Sequence, residues 1–414
     1  MELLLIPNPE VTIAPQARRL SPTASAHLDL VRGFAAAAVA FQHLRALLVL
    51  DWPQTTEHSY FAALFYFLGK FGHPAVIVFF VISGYLVGSS GIRSIEKRAW
   101  SLRRYLLHRF LRLEIVLLPA LLIGLLCDTV GRHLFNSSLY DGGWHLLVRF
   151  TPIDLSWRTF LGNAAFVQDI LVPTFGTNSP LWSLSYEFWY YVLFGLLATA
   201  AVRTARLWLR VLMALLAIAV SWFTGFAIMF LAPLWFLGLG IYLLPRLQLS
   251  YQARRRLVAA STLIFLTFVG LTYGTRAPVE ALTRPLMVDL VTGVLFALML
   301  FAILHANEAR LGYRQTAHWI AAPTYTLYTN HMPAMTLLLA WIGMRRPPTP
   351  ARCLELIGWF IFFWLYAYGL YLIFESRTQT IRNWIEPKIL PGVRALKRNG
   401  VPHGDSLGVG SRSD

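Results

Sequence analysis

Apolar segments close to 20 residues long recur along the whole chain, and that recurrence decides what it can fold into. A hydrocarbon layer of about 30 Å takes roughly 20 helical residues to cross, and inside it every backbone polar group must find its partner within the segment. Such stretches are read at 28–50, 72–90, 105–127, 181–201, 208–221, 227–245, 257–274, 286–305, 317–343 and 353–374, the fifth being the shortest. The expected fold class is all-α, a polytopic integral membrane protein with about ten transmembrane helices. Helical spans exclude an outer-membrane barrel.

Charge supports this reading. Only 14% of the 414 residues are charged, against about 25% in an ordinary soluble domain, too few to cover a soluble surface. The 14 Trp, 17 Tyr and 28 Phe suit the two water–lipid boundaries, where amphipathic rings collect. A formal net charge of +16 would fit nucleic acid or an anionic substrate were it not for where the charges fall. With the N-terminus inside, the segments 1–27, 91–104, 202–210, 246–256, 306–316 and 375–414 hold about 23 of the 36 Lys and Arg. That bias puts both termini in the cytoplasm and leaves no reason to expect a nucleic-acid partner. Arg345, Arg346 and Arg352 are the exceptions, on an outer loop.

The chain divides into a flexible N-terminal tail (1–27), a membrane-embedded region (28–376) and a basic C-terminal tail (377–414). The apolar start Leu3 to Ile6 is too short for a signal-peptide core. Residues 128–180 form the largest outer segment, with Gly142, Gly143, Trp144 and Trp157. Its apolar stretch from Phe160 to Val172 is expected to be an interfacial or re-entrant helix. Cys127 and Cys353, the two cysteines, are too few for a disulfide framework or a thiolate metal site, and nothing in the sequence establishes that they pair. No internal repeat of the kind seen in transporters is evident.

Ionisable groups inside a span are functional candidates by default, because a charge in hydrocarbon costs several kcal/mol unless paired or wetted. Arg32 and His43 lie eleven residues apart in the first span, within about 20° on one helix face and about 16 Å along the axis. Two readings fit each of them. Arg32 can snorkel to the interface and His43 can bond a neighbouring helix, or the two can hold the phosphate end and the reactive end of one extended ligand. In the third span Arg109 and Arg112 share a face, and guanidinium forks suit phosphate. In the fourth, Pro180 suits a helix start, and Ser183 and Glu187, four apart, line one face, with Ser185 in the same run; a polar packing seam is the alternative, and it explains Glu187 worst. Thr324, Tyr328 and His331 follow helical spacing in the ninth, where packing and acid–base roles both fit. Glu375, at the end of the last span, reads as an interface charge. No HExxH, GxGxxG, GxSxG or P-loop pattern is present.

Four marks occur in order along these spans. They are Leu-Asp-x-x-Arg-Gly from Leu28 to Gly33 with His43 at an Arg-x10-His spacing, Phe-Phe-Val-Ile-Ser-Gly-Tyr-Leu from Phe79 to Leu86, Arg109-x-x-Arg112, and Leu-Trp-Ser-Leu-Ser-Tyr-Glu from Leu181 to Glu187. Over about residues 28–376 the chain resembles the membrane-bound acyltransferase-3 family, whose members acylate, usually acetylate, polysaccharides, lipid-linked sugars, Nod factors, macrolides and peptidoglycan. The resemblance implies an O-acyltransferase of the bacterial inner membrane, with acetyl-CoA or another acyl-CoA as donor substrate and no metal or redox cofactor. Its acceptor would be a hydroxyl on a glycan or lipid-linked sugar, and other envelope-glycan biosynthesis proteins are the partners it suggests besides the lipid bilayer. It also implies that Arg32, His43, Arg109, Arg112 and Glu187 are the functional set. Two departures stand out. Glu375-Ser376 replaces a Glu-Pro pair common in the family, and residues 377–414 are too short for the extracellular esterase-like domain some members append.

The mechanism expected from these residues places donor phosphates on Arg32, Arg109 and Arg112. His43 acts as general base on the acceptor hydroxyl, and Glu187 is a second catalytic residue that orients His43 or binds the acceptor. Ser83 or Ser183 stabilises the oxyanion, with Asp29, Ser185, Tyr328 and His331 in supporting positions; an acyl-enzyme on serine or histidine stays open. Rival classes are a transporter or flippase for an anionic or glycolipid substrate, built on the same buried groups, and a scaffold subunit of an envelope assembly.

Overall fold

The computed structural model describes residues 20–56, 59–135, 138–141, 153–245, 247–274, 283–305 and 312–390. Gly142, Gly143, Trp144 and most of both expected tails lie outside them. Thirteen α-helices are built from the described residues, which contain no strand: α1 Pro22–Leu48, α2 Tyr60–Leu68, α3 Gly72–Glu96, α4 Leu102–Leu134, α5 Trp157–Ala164, α6 Trp182–Ala201, α7 Leu207–Leu243, α8 Tyr251–Gly274, α9 Thr283–Leu304, α10 Arg314–Ala321, α11 Thr324–Ile342, α12 Pro350–Ile373 and α13 Thr378–Ile389.

Local chemistry sets several starts. Ser21 caps α1 by accepting from Ala24 N at 3.1 Å, with Pro22 in the first turn, and Thr349 caps α12 with Pro350 behind it. A serine or threonine oxygen satisfies a first-turn N–H that has no helical partner, and proline has none to lose.

Seven of these elements are long and apolar enough to cross a membrane, α7 being counted once. The difference from the ten expected has physical causes. The expected fifth and sixth spans are the two halves of α7, joined at Gly225, whose φ of 78° and ψ of 177° interrupt the helix. The fourth and ninth spans form α6 and α11, which are not among the seven. The ninth is also cut short, because Pro323 separates α10 from α11. Phe160 to Val172 is not one helix either. Only α5 is helical there, and the chain then turns through positive φ at Phe166 and Asp169. The C-terminal segment is more than a tail, since α13 packs on α4, with Glu386 2.7 Å from Arg104 and 3.2 Å from His108.

Large apolar side chains cover the outside of the bundle, among them Leu122 and Leu126 of α4, Trp222 of α7, Leu263 of α8 and Leu365 of α12. So much exposed apolar surface suits lipid and not water, and the chain is an integral membrane protein. Inside, one apolar cluster unites α3, α6, α7 and α9 around Ile77, Tyr190, Trp235 and Phe296. A second joins the end of α1 to α11 and α12 around Leu44, Met335 and Leu356. Cys127 and Cys353 are both free and buried.

Glycines let α3 and α7 approach at backbone distance. A Cβ on Gly84 would sit 1.8 Å from Trp235 O, and one on Gly238 2.0 Å from Val81 O. Gly84→Ala is therefore expected to destabilise the protein by about 1–3 kcal/mol through overpacking, read as a lower thermal midpoint in detergent. An unchanged midpoint would show that the seam can open without cost.

Candidate active site

The first half of α1, the middle of α3, the start of α4, the first half of α6 and the start of α11 line a cavity of about 300 Å³. Along α3 it runs from Val76 to Val87, about 16 Å at 1.5 Å per residue. Arg32, Arg109 and Arg112 project into it, with Tyr325 and Thr324 nearby; Ser83, Glu187 and Tyr191 line it, as do Ser183, Tyr328, Phe79 and Phe80.

The Arg112 guanidinium is 2.6 Å from Glu375 Oε1 and lies over the Tyr325 ring. Glu375, its side chain 4% exposed, also accepts from Thr326 N at 3.1 Å and Thr326 Oγ1 at 2.6 Å through its other oxygen. It thereby caps α11, which has no capping side chain of its own at Pro323. Arg32 is 3.5 Å from Asp29. Arg109 makes no salt bridge among the described residues, and its buried Nε has no hydrogen-bond partner there. Its positive charge is the least compensated of the three, so an anionic ligand gains most from it.

Glu187 Oε1 accepts from Ser83 Oγ at 2.6 Å and from Tyr191 OH at 2.5 Å, while Trp235 Nε1 donates to Ser83 Oγ at 3.2 Å. Ser183 Oγ is 2.5 Å from Tyr328 OH, and both hydroxyls reach Pro180 O, at 3.2 and 3.1 Å. Beyond that wall, one helical turn along α11 from Tyr328, His331 Nε2 lies 2.8 Å from His43 Nδ1.

The family model described as an acyltransferase domain matches residues 25–374, most of the chain. The chain belongs to this family. No curated protein and no solved structure matches it.

In this acyltransferase, Arg32, Arg109, Arg112, Ser83, Ser183, Glu187 and Tyr328 meet in one cavity. His43 and His331 pair just outside its lining. Two expected members stand elsewhere. Ser185 is fully buried and donates to Phe166 O at 2.8 Å, holding the turn before α6, and Asp29 faces Arg32 and His318 at the rim. Two expected roles also meet constraints. The proton of Ser83 is given to Glu187, and Ser183 and Tyr328 share two protons between Pro180 O and each other, so neither serine has a proton to spare for an oxyanion. Glu187 bonds Ser83 and Tyr191, and the partner given to His43 is His331.

The sequence reading passes over Tyr191, Tyr325 and Trp235 and takes Glu375 for an interface charge. Tyr191 was within its reach, four residues after Glu187 on the same helix face. Glu375 was not, because 263 positions separate it from Arg112.

Proposed function

We propose that this membrane acyltransferase transfers an acetyl group from acetyl-CoA to a hydroxyl of a cell-surface polysaccharide or glycolipid, with His43 as general base. The observation that carries the reading is the polarity of the site: three arginines line one cavity, and a histidine pair stands just outside it, with His43 about 16 Å along α1 from Arg32. A coenzyme A thioester has matching ends, phosphates joined to a reacting carbonyl by an extended neutral arm. Arg32, Arg109 and Arg112 bind its phosphates from the cytoplasmic side of a bacterial inner membrane.

His43 takes the proton of the acceptor hydroxyl as the oxygen attacks the thioester carbonyl. The tetrahedral intermediate expels the thiolate, which recovers that proton. Glu187, oriented by Ser83 and Tyr191, faces the cavity as an acceptor for substrate O–H or N–H groups.

Two measurements test this. Membranes containing the protein are expected to move label from radiolabelled acetyl-CoA into envelope glycan, and absence of incorporation at matched expression would overturn the reading. Arg109→Ala is expected to raise KM for acetyl-CoA about 10- to 100-fold, the loss of one charge-assisted phosphate contact, with little change in kcat. An unaltered KM would remove Arg109 from the donor site.

A further inference from the structure

His43 on α1 and His331 on α11 lie 288 positions apart in the chain, yet their rings meet edge to edge, 19° from parallel and 5.1 Å between centroids, with Nδ1 of the first 2.8 Å from Nε2 of the second. The other nitrogen of His331 decides where the protons are. His331 Nδ1 is 2.9 Å from Leu327 O and 2.9 Å from Tyr328 O, one turn back on its own helix. Carbonyl oxygens only accept, so Nδ1 carries the hydrogen, and a neutral His331 turns a bare Nε2 lone pair toward His43. Two lone pairs cannot face each other at 2.8 Å. His43 must donate through Nδ1–H, which leaves its Nε2 bare, and among the described residues that nitrogen has no hydrogen-bond partner.

From this geometry we infer that His331 is a positioning residue, which fixes His43 in the Nδ1–H tautomer and so makes Nε2 the atom that receives the acceptor's proton. The inference rests on the proposed acyl transfer and assigns it an atom. When Nε2 takes the hydroxyl proton, the imidazolium that forms still donates Nδ1–H to a neutral acceptor. When the thiolate leaves, the Nε2 proton passes to it and the starting tautomer is restored. His331 thus fills the orienting place that a carboxylate takes in a serine-hydrolase triad, without placing a charge between the helices.

The test has a spectroscopic arm and a kinetic arm. In ¹⁵N-histidine-labelled protein in liposomes, the His43 signals, identified by their loss in His43→Gln, are expected to show a protonated Nδ1 and a bare Nε2 in the wild type. In His331→Leu the two tautomers are expected to mix. In the transfer assay His331→Leu is expected to lower kcat about 10- to 100-fold, the usual cost of removing an orienting partner, with KM for acetyl-CoA unchanged. His331→Gln, whose carboxamide oxygen accepts from Nδ1–H, is expected to recover most of that loss. A wild-type His43 protonated on Nε2, or a His331→Leu protein with unchanged kcat, overturns the inference. The spectra do not need turnover, so a wild type that transfers nothing but shows the Nδ1–H tautomer would sink the proposed reaction and leave the pairing standing.

Discussion

Membranes carrying His43→Ala are expected to bind acetyl-CoA as the wild type does and to transfer its acyl group about 10²- to 10⁴-fold more slowly, the range a positioned general base supplies. The reason is spatial. The cavity that holds the arginines is lined by Arg32 and not by His43, although both stand on one face of α1. Removing the imidazole therefore leaves the donor's binding groups in place, and kcat falls while KM for the donor stays. The measurement is label incorporation at matched expression together with equilibrium binding of labelled acetyl-CoA. Equal incorporation from both proteins would sink the base assignment. A parallel loss of binding would mean that His43 holds the donor and does not activate the acceptor.

Glu375→Ala is expected to cause the largest fall in thermal stability of any single change considered, about 3 kcal/mol, the lower end for breaking a buried ion pair, because Arg112 is partly open to the cavity. Three groups lose a partner at once: the Arg112 guanidinium, Thr326 N–H at the first turn of α11, and the Thr326 hydroxyl. Glu375→Gln keeps an oxygen for Thr326 but turns its NH2 toward Arg112, so only the Arg112 pair is lost and its midpoint is expected between the two. A wild-type midpoint for Glu375→Ala in a detergent melt would mean that α11 is held at its start by something else.

The helical class was legible because it is written in period and length, and the long runs of α3, α4 and α9 show both. Family membership was legible from four short marks, since the match to residues 25–374 falls on the segment that bears them. Helix faces also carried far: Arg109 with Arg112, and Ser183 with Glu187, line the cavity as their spacing implies. What stayed hidden depends on tertiary proximity or on a bend. Gly225 looks like any glycine in an apolar run until its positive φ is seen. Ser185 is as plausible a site residue as Ser183 until the turn at Phe166 claims its hydroxyl. The meetings of His43 with His331 and of Arg112 with Glu375 span most of the chain, and no periodicity reports them.

The glycine seam between α3 and α7 has a mechanical consequence. At Gly84 and Gly238 the two helices touch backbone to backbone, with no side chain between them to change rotamer. Such a contact cannot slide or roll without a hard collision, so one wall of the cavity behaves as a fixed anvil. α1 and α11, which also border the cavity, meet beside it through side chains such as His43 and His331, and these can repack by rotamer changes. A widening between α1 and α11 would therefore meet less resistance than one between α3 and α7, and it would also loosen the contact between the two imidazoles.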